Sequence, residues 1–314
     1  MRPPGAAVAA GDAAMAASSA PRRTWRRVDG VLLLDKPSGL SSNAALQRAR
    51  RVLQAEKGGH TGTLDPLASG LLALCFGEAT KFAQFLLDAD KGYRATVRFG
   101  VTTDTLDAEG TVLSTQPVAL DQAALEGLLA ASLGTQMQTP PAHAALKYRG
   151  RAYYEYARAG EAIPRAPREV RIDRLTLVSF VPPDAIVDVA CGKGTYVRVI
   201  AADLGERAGC GAHLAALRRT RTAGFDVKDA ISLEALEARP DEAAGRLLPV
   251  DVLVAHLPRA DVEPSAAAAF LHGQAVAVPV APGPCRVYGE GRLLGVAEVA
   301  GGLAQPRRSL AAPL

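Results

Sequence analysis

The sequence predicts a mixed α/β core followed by a small C-terminal β-barrel. Strand-like apolar runs alternate with segments whose apolar residues recur at helical spacing from Asp29 to about residue 225. Residues 229–263 then turn acidic, with eight acidic side chains against three arginines plus Pro249 and Pro258, which reads as a linker. Beyond it, Ala275–Val280, Arg286–Tyr288 and Leu293–Val299 are short, β-like and separated by glycine and proline, the pattern of a barrel of about 60 residues. A length of 314 residues fits about two domains.

Residues 1–28 are Ala/Pro/Arg-rich and read as a disordered extension. Asp12 interrupts the alanine stretch and Arg22–Arg27 follow it, against a signal peptide; composition leaves a transit peptide open. Val31–Leu34 is a buried strand closed by a turn at Asp35-Lys36-Pro37. Ser42 or Asn43 is placed to cap a helix carrying Ala45, Leu46, Ala49, Val52 and Leu53, which Gly58 and Gly59 would stop. In Thr63-Leu64-Asp65-Pro66 the local pattern makes Asp65 a helix N-cap, because proline suits the first helical position. Tyr93–Phe99 alternates as a half-buried strand with Arg94 and Arg98 outward. Asp104–Gly110 is an acidic turn, 121–133 a helix, and 139–171 a loop around one helix near Tyr153–Arg158. Ile186–Cys191 is a strand leading through Gly192-Lys193-Gly194-Thr195 into a helix.

Charge and cysteine usage narrow the function. Of 36 Lys+Arg and 32 Asp+Glu, five arginines and one aspartate lie in residues 1–28; the remainder is balanced at 31 of each. A uniformly basic nucleic-acid binder is not indicated, but local clusters remain. From Ala145 to Leu175 eight basic residues face four acidic ones with four tyrosines interleaved, a mixture that suits RNA phosphates and bases. The four cysteines (75, 191, 210, 285) form no C-x-x-C pair, and the histidines never fall at i, i+4, so no metal site is expected. No fully apolar run exceeds six residues, as in Leu71–Phe76, too short to span a membrane. Gly192-Lys193-Gly194-Thr195 misses the Walker spacing. It looks more like the nucleotide loop of S-adenosylmethionine-dependent methyltransferases, yet residues 208–224 hold no acid to grip a ribose.

Six ordered segments resemble the bacterial tRNA pseudouridine-55 synthases: DGVLLLDKPSGLSSN (29–43), GHTGTLDPLASGLL (59–72), GEATKFAQFLLDADKGYR (77–94), ALKYRGRAYYEYARAG (145–160), CGKGTYVRVIAADLG (191–205) and CGAHLAALRRT (210–220). The resemblance implies a mixed, mainly antiparallel catalytic sheet over 29–250, with an RNA-gripping insertion at about 139–171. It implies a PUA-like RNA-binding domain over 251–314, whose opening Phe270-Leu271-His272-Gly273 matches. It moves Asp65 from cap to catalyst, implies Tyr93 and Arg198 as its partners, and places Tyr196 and Leu217 against the uracil. His60 would fill the space left when the base leaves the RNA stack. Arg48, Arg51, Lys147, Arg149, Arg218 and Arg219 are the candidates for the RNA backbone.

The implied reaction detaches uracil from ribose C1′ and rejoins it through C5, which calls for a carboxylate near C1′ but no cofactor and no metal. Arg198 is expected to orient Asp65 bidentately and hold its pKa down. The implied partner is the tRNA T-arm, with no membrane and no obligate protein partner, for a cytoplasmic monomer with an accessory role in tRNA folding. Two rivals stand beside it: an RNA-folding chaperone without catalysis, and a methyltransferase.

Overall fold

A computed structural model describes residues 24–310; residues 1–23, most of the extension expected to be disordered, lie outside the described residues. Order begins before Asp29. The Arg26 N–H donates to Gln54 O at 2.7 Å, and the Arg50 guanidinium lies 4.5 Å from the Trp25 ring centroid. A backbone bridge and a cation on an aromatic face hold this segment against the first helix.

The larger part is built on a ten-stranded sheet. Its main path runs Ile231–Ser232, Gly30–Lys36, Ser69–Phe76, Ala212–Thr222, Lys91–Phe99, Asp184–Cys191, Arg168–Val181, Gly134–Gln138. Gly30–Lys36 runs parallel to Ile231–Ser232, and Ala212–Thr222 parallel to Ser69–Phe76; the other pairings on the path are antiparallel. The sheet is therefore mixed and mainly antiparallel, as expected. Along Lys91–Phe99 the alternation holds: Ala95, Val97 and Phe99 are buried. Arg94 and Arg98 turn outward and fork onto Asp188 and Asp184 of the neighbouring strand.

Several local expectations fail for physical reasons. The apolar run after Asp65 is the strand Ser69–Phe76, not a helix. A run apolar at every position has no helical period, and burial between two neighbouring strands suits it. Asp65 thus caps no helix; its carbonyl accepts from Ala68 N–H at 3.0 Å and closes a single turn before the strand. Ser41, not Ser42 or Asn43, caps the helix Ser42–Leu53, which ends at Gln54 in the left-handed conformation. Gly58 and Gly59 belong to the strand Gly58–Thr61 instead. The loop-like reading of 139–171 runs too far: the sheet resumes at Arg168, in a strand whose bulge between Ile172 and Arg174 breaks the alternation.

The acidic stretch 229–263 is not a linker. Ile231–Ser232 joins the sheet, and the helix Leu233–Ala238 buries Leu233 and Leu236 against Leu46, Ala49 and Leu53. Leu253 and Val254 then pack between Val31, Leu33 and Phe82 of the large sheet's side and Tyr288, Leu293 and Val296 beyond. The C-terminal part is a five-stranded sheet ordered Arg259–Val262, Gly283–Gly289, Arg292–Ala300, Leu303–Ser309, Val276–Ala277, around the buried Phe270 of the helix Pro264–Leu271. Its first and last strands do not pair, so it is a curled, PUA-like half-barrel rather than a closed barrel.

Candidate active site

Asp65 lies in the connection between the strands Gly58–Thr61 and Ser69–Phe76. One buried hydroxyl holds that connection: Ser42 Oγ accepts from Leu64 N–H at 2.7 Å and donates to Leu64 O at 3.0 Å. Arg219, 1% exposed on an interior strand of the sheet, grips it, donating to Gly62 O at 3.0 Å and to Leu71 O at 2.7 Å. Gly70 permits this close approach: at φ +100°, a Cβ there would sit 2.2 Å from Arg219 O. Two distant segments, the first helix and the strand Ala212–Thr222, thus fix the aspartate's connection before any substrate arrives.

Arg198, 5% exposed, extends from the helix Val197–Arg207. Its Nη1 lies 3.3 Å from Asp65 Oδ2 and 3.1 Å from Asp107 Oδ2, and its Nη2 donates to His143 O at 3.0 Å. Asp107 is itself buried and accepts from Thr105 Oγ1 at 2.6 Å and from Glu109 N–H at 3.1 Å. The contact with Asp65 is single and shared, not the bidentate fork expected. The expected sign also reverses. Burial pushes the Asp65 carboxyl above the usual carboxylate range; Arg198 opposes this, Asp107 adds to it and Lys36 opposes it. The side chain remains 44% exposed into a cavity, so water screens part of each charge.

That cavity holds about 360 Å³ and is lined by Asp65, Tyr93, Tyr196, Arg198, Leu217 and Arg219, among others. A volume of this order accommodates a small organic ligand. Burial raises the Tyr93 hydroxyl, with Arg219 as its opposing charge and hydrogen-bond partner, and likewise raises Tyr196 against Arg168 and Arg198. Both are neutral phenols at pH 7. His60 stands on the strand Gly58–Thr61, outside the cavity lining; burial, then Arg219, lowers its pKa, and its Nδ1 has no partner among the described residues.

The expected RNA-backbone residues divide. Lys147 and Arg149 are exposed on the hairpin Lys147–Tyr148/Arg151–Ala152, and Arg51 is exposed on the first helix. Arg48 is paired with Glu237, Nε to Oε1 at 2.7 Å, and Arg218 forks onto Asp35 at 2.9 and 2.7 Å. Arg219 is interior and engaged, which removes it from any role on a phosphate backbone; sequence clustering does not distinguish the buried Arg219 from the half-buried Arg218 and the exposed Arg221 beside it.

Sequence reasoning missed Lys36, Asp107 and Gln138. Lys36 is fully buried, donates to Leu40 O at 2.6 Å and Pro37 O at 2.9 Å, and is lowered to about 8 by burial first and Arg219 second. Asp-Lys-Pro otherwise spells a surface turn. The Gly192–Thr195 loop is no nucleotide cradle: Lys193 pairs with Asp88 at 3.0 Å and Gly194 O accepts from Arg168. The strand before it is antiparallel to both neighbours, which excludes the parallel nucleotide-binding unit a methyltransferase needs. Among the described residues no group of three His, Cys, Asp or Glu is arranged to hold a metal, and no helix is long and apolar enough to cross a membrane.

Residues 50–197 match the TruB family pseudouridylate synthase N-terminal domain, 198–255 the tRNA pseudouridylate synthase B C-terminal domain, and 258–310 the C-terminal part of pseudouridine synthase II TruB. The chain is 54% identical over 297 residues to tRNA pseudouridine synthase B of Aromatoleum aromaticum, covering 94% of this chain and 96% of the relative. It is 53% identical over 301 residues to the same-named protein of Burkholderia mallei, covering 93% and 97%. Among solved structures, a chain of a Cbf5-Nop10-Gar1 complex superposes with a TM-score of 0.70 at 24% identity, covering 89% of this chain and 84% of that one, a likeness of fold. With family models and relatives matched along nearly the whole chain, the protein belongs to the TruB family of tRNA pseudouridine synthases.

Proposed function

We propose that this chain isomerises uridine 55 in the T-loop of tRNA to pseudouridine, as a cytoplasmic monomer. The observation that carries the reading is the Asp65 carboxylate 3.3 Å from Arg198 in the cavity that Tyr93, Tyr196 and Leu217 line. The target base leaves the RNA stack, at about a few kcal/mol, and enters this cavity. His60, neutral because burial depresses its pKa, takes part of the vacated space. The N1–C1′ bond breaks, the uracil turns, and a C5–C1′ bond forms; C5 loses a proton and N1 carries one, so the reaction balances without a co-reactant.

Asp65 acts in its ionised form on the uridine, and Arg198 fixes the carboxylate's direction. Tyr93 gives the uracil a ring to stack on and a neutral hydroxyl, while Leu217 contacts it without competing for its polar edges. Lys147, Arg149 and Arg51, exposed on the hairpin and the first helix, take backbone phosphates. We assign 29–250 to catalysis, with 139–171 as the RNA-gripping insertion, and 251–314 to a PUA-like domain on a distant part of the tRNA.

The test is tritium release from an unmodified tRNA transcript labelled at uridine C5, for the parent protein and Asp65→Asn. One equivalent per tRNA from the parent alone is expected. No release from either protein, with tight tRNA binding by both, refutes the isomerase reading and favours an RNA-folding chaperone.

A further inference from the structure

Gln138 ends the edge strand Gly134–Gln138, directly before Thr139-Pro140-Pro141 and the basic insertion. Its side chain is 3% exposed, an unusual place for an uncharged amide unless both ends are bonded. They are. Tyr196 N–H donates to Gln138 Oε1 at 2.8 Å, and Gln138 Nε2 donates to Tyr196 O at 3.2 Å. The amide therefore satisfies both polar groups of one peptide residue, 58 positions away.

That residue matters because of where it stands. Tyr196 is the N-cap of the helix Val197–Arg207, and no side chain of its own caps the helix. Arg198 is two residues further on. Gln138 thus sets the backbone from which the Arg198 guanidinium reaches Asp65 and Asp107. The other guanidinium nitrogen donates to His143 O, five residues beyond Gln138 on the same insertion-opening segment. The start of the insertion is consequently tied to the start of the catalytic helix twice, once through each side's polar group.

We propose that Gln138 is a positioning residue for the reaction: by clamping the Tyr196 peptide it holds Arg198 in register with Asp65, and it couples the seating of the RNA-gripping insertion to the catalytic carboxylate. This rests on the assignment of Asp65 and Arg198 to the uridine isomerisation.

The test is a double-mutant cycle read by single-turnover tritium release at saturating protein, with tRNA affinity measured separately. Gln138→Met keeps the volume and removes both hydrogen bonds. Two such bonds lost from a buried peptide correspond to a slowing of roughly 10- to 100-fold. Affinity for tRNA is expected to change less than about threefold on the same scale. In an Arg198→Lys background the same substitution should cost far less, because a residue acting through Arg198 has little left to position. Gln138→Glu keeps the acceptor for Tyr196 N–H but sets a carboxylate against Tyr196 O. Its rate relative to the parent should recover as pH falls and the carboxyl gains a donor proton, and this variant decides the matter if Gln138→Met does not fold. A full additional loss in the Arg198→Lys background, or a pH-independent ratio for Gln138→Glu, would overturn the proposal. A parent enzyme that releases no tritium would instead overturn the function on which it rests, so the two failures are distinguishable.

Discussion

Asp107→Asn separates two roles that a buried carboxylate can have beside a catalytic one. Asp107 and Asp65 reach the same Arg198 nitrogen, at 3.1 and 3.3 Å. Two unit charges about 6 Å apart, at an effective dielectric constant of about 20, repel by about 3 kcal/mol. The Asp65 side chain is 44% exposed. Solvent screening reduces this repulsion further. Asp107 is one of the charges that raise Asp65, so its removal lowers the Asp65 pKa. Asparagine keeps one of the two oxygens: placed on Arg198 it leaves the guanidinium its acceptor but turns an NH2 toward Thr105 Oγ1 and Glu109 N–H, which used the other oxygen. The acid limb of the single-turnover pH–rate profile should therefore move toward lower pH, while the plateau rate falls by less than about tenfold. Tritium release across the acid limb and the neutral plateau measures both. An unmoved limb, or one displaced to higher pH, would show that Asp107 acts by seating Arg198 and not by its charge on Asp65.

Two further outcomes follow from the buried groups around the site, and a third from the exposed hairpin. Lys36 is lowered from 10.5 to about 8, so between those values the unfolded chain holds a proton that the folded chain has released, and stability rises with pH across that window. Lys36→Met removes this slope, worth at most about 3 kcal/mol, which urea midpoints at about pH 7.5 and about pH 10 would detect; equal pH dependence in both proteins refutes it. Gly70→Ala drives a methyl group to 2.2 Å from Arg219 O at φ +100° and should cost at least about 3 kcal/mol in thermal unfolding. Gly150→Ala, at φ +84° with nothing within 4 Å, should cost only about 1 kcal/mol by the same assay.

The strands that alternate were legible because burial on one face leaves a period of two in the chain, as in Lys91–Phe99. Ser69–Phe76 was not, since a strand buried on both faces loses that period, and an Asp-Pro before it imitates a helix start. Arg168–Val181 escaped for a different reason: its bulges shift which residues face the core partway along. The candidate site shows the same division. Asp65, Tyr93 and Arg198 stand in motifs and were nameable through resemblance. Lys36 and Asp107 stand in segments that read as a turn and an acidic turn, and Gln138 in the short stretch between the helix expected at 121–133 and the loop expected at 139–171, which carried no reading.

What makes those three significant is a partner remote in sequence or hidden in the fold. Asp107 meets Arg198 91 positions away, and Gln138 meets Tyr196 58 away. A local pattern records which face of an element is buried; it carries no record of which distant polar group a buried amide or carboxylate will satisfy. Yet a polar group left unsatisfied in the interior costs about 1–3 kcal/mol, so such residues tolerate few replacements even where they touch no substrate. The catalytic aspartate is specified by its motif, but its direction and charge are specified by residues around it whose role only the folded chain discloses.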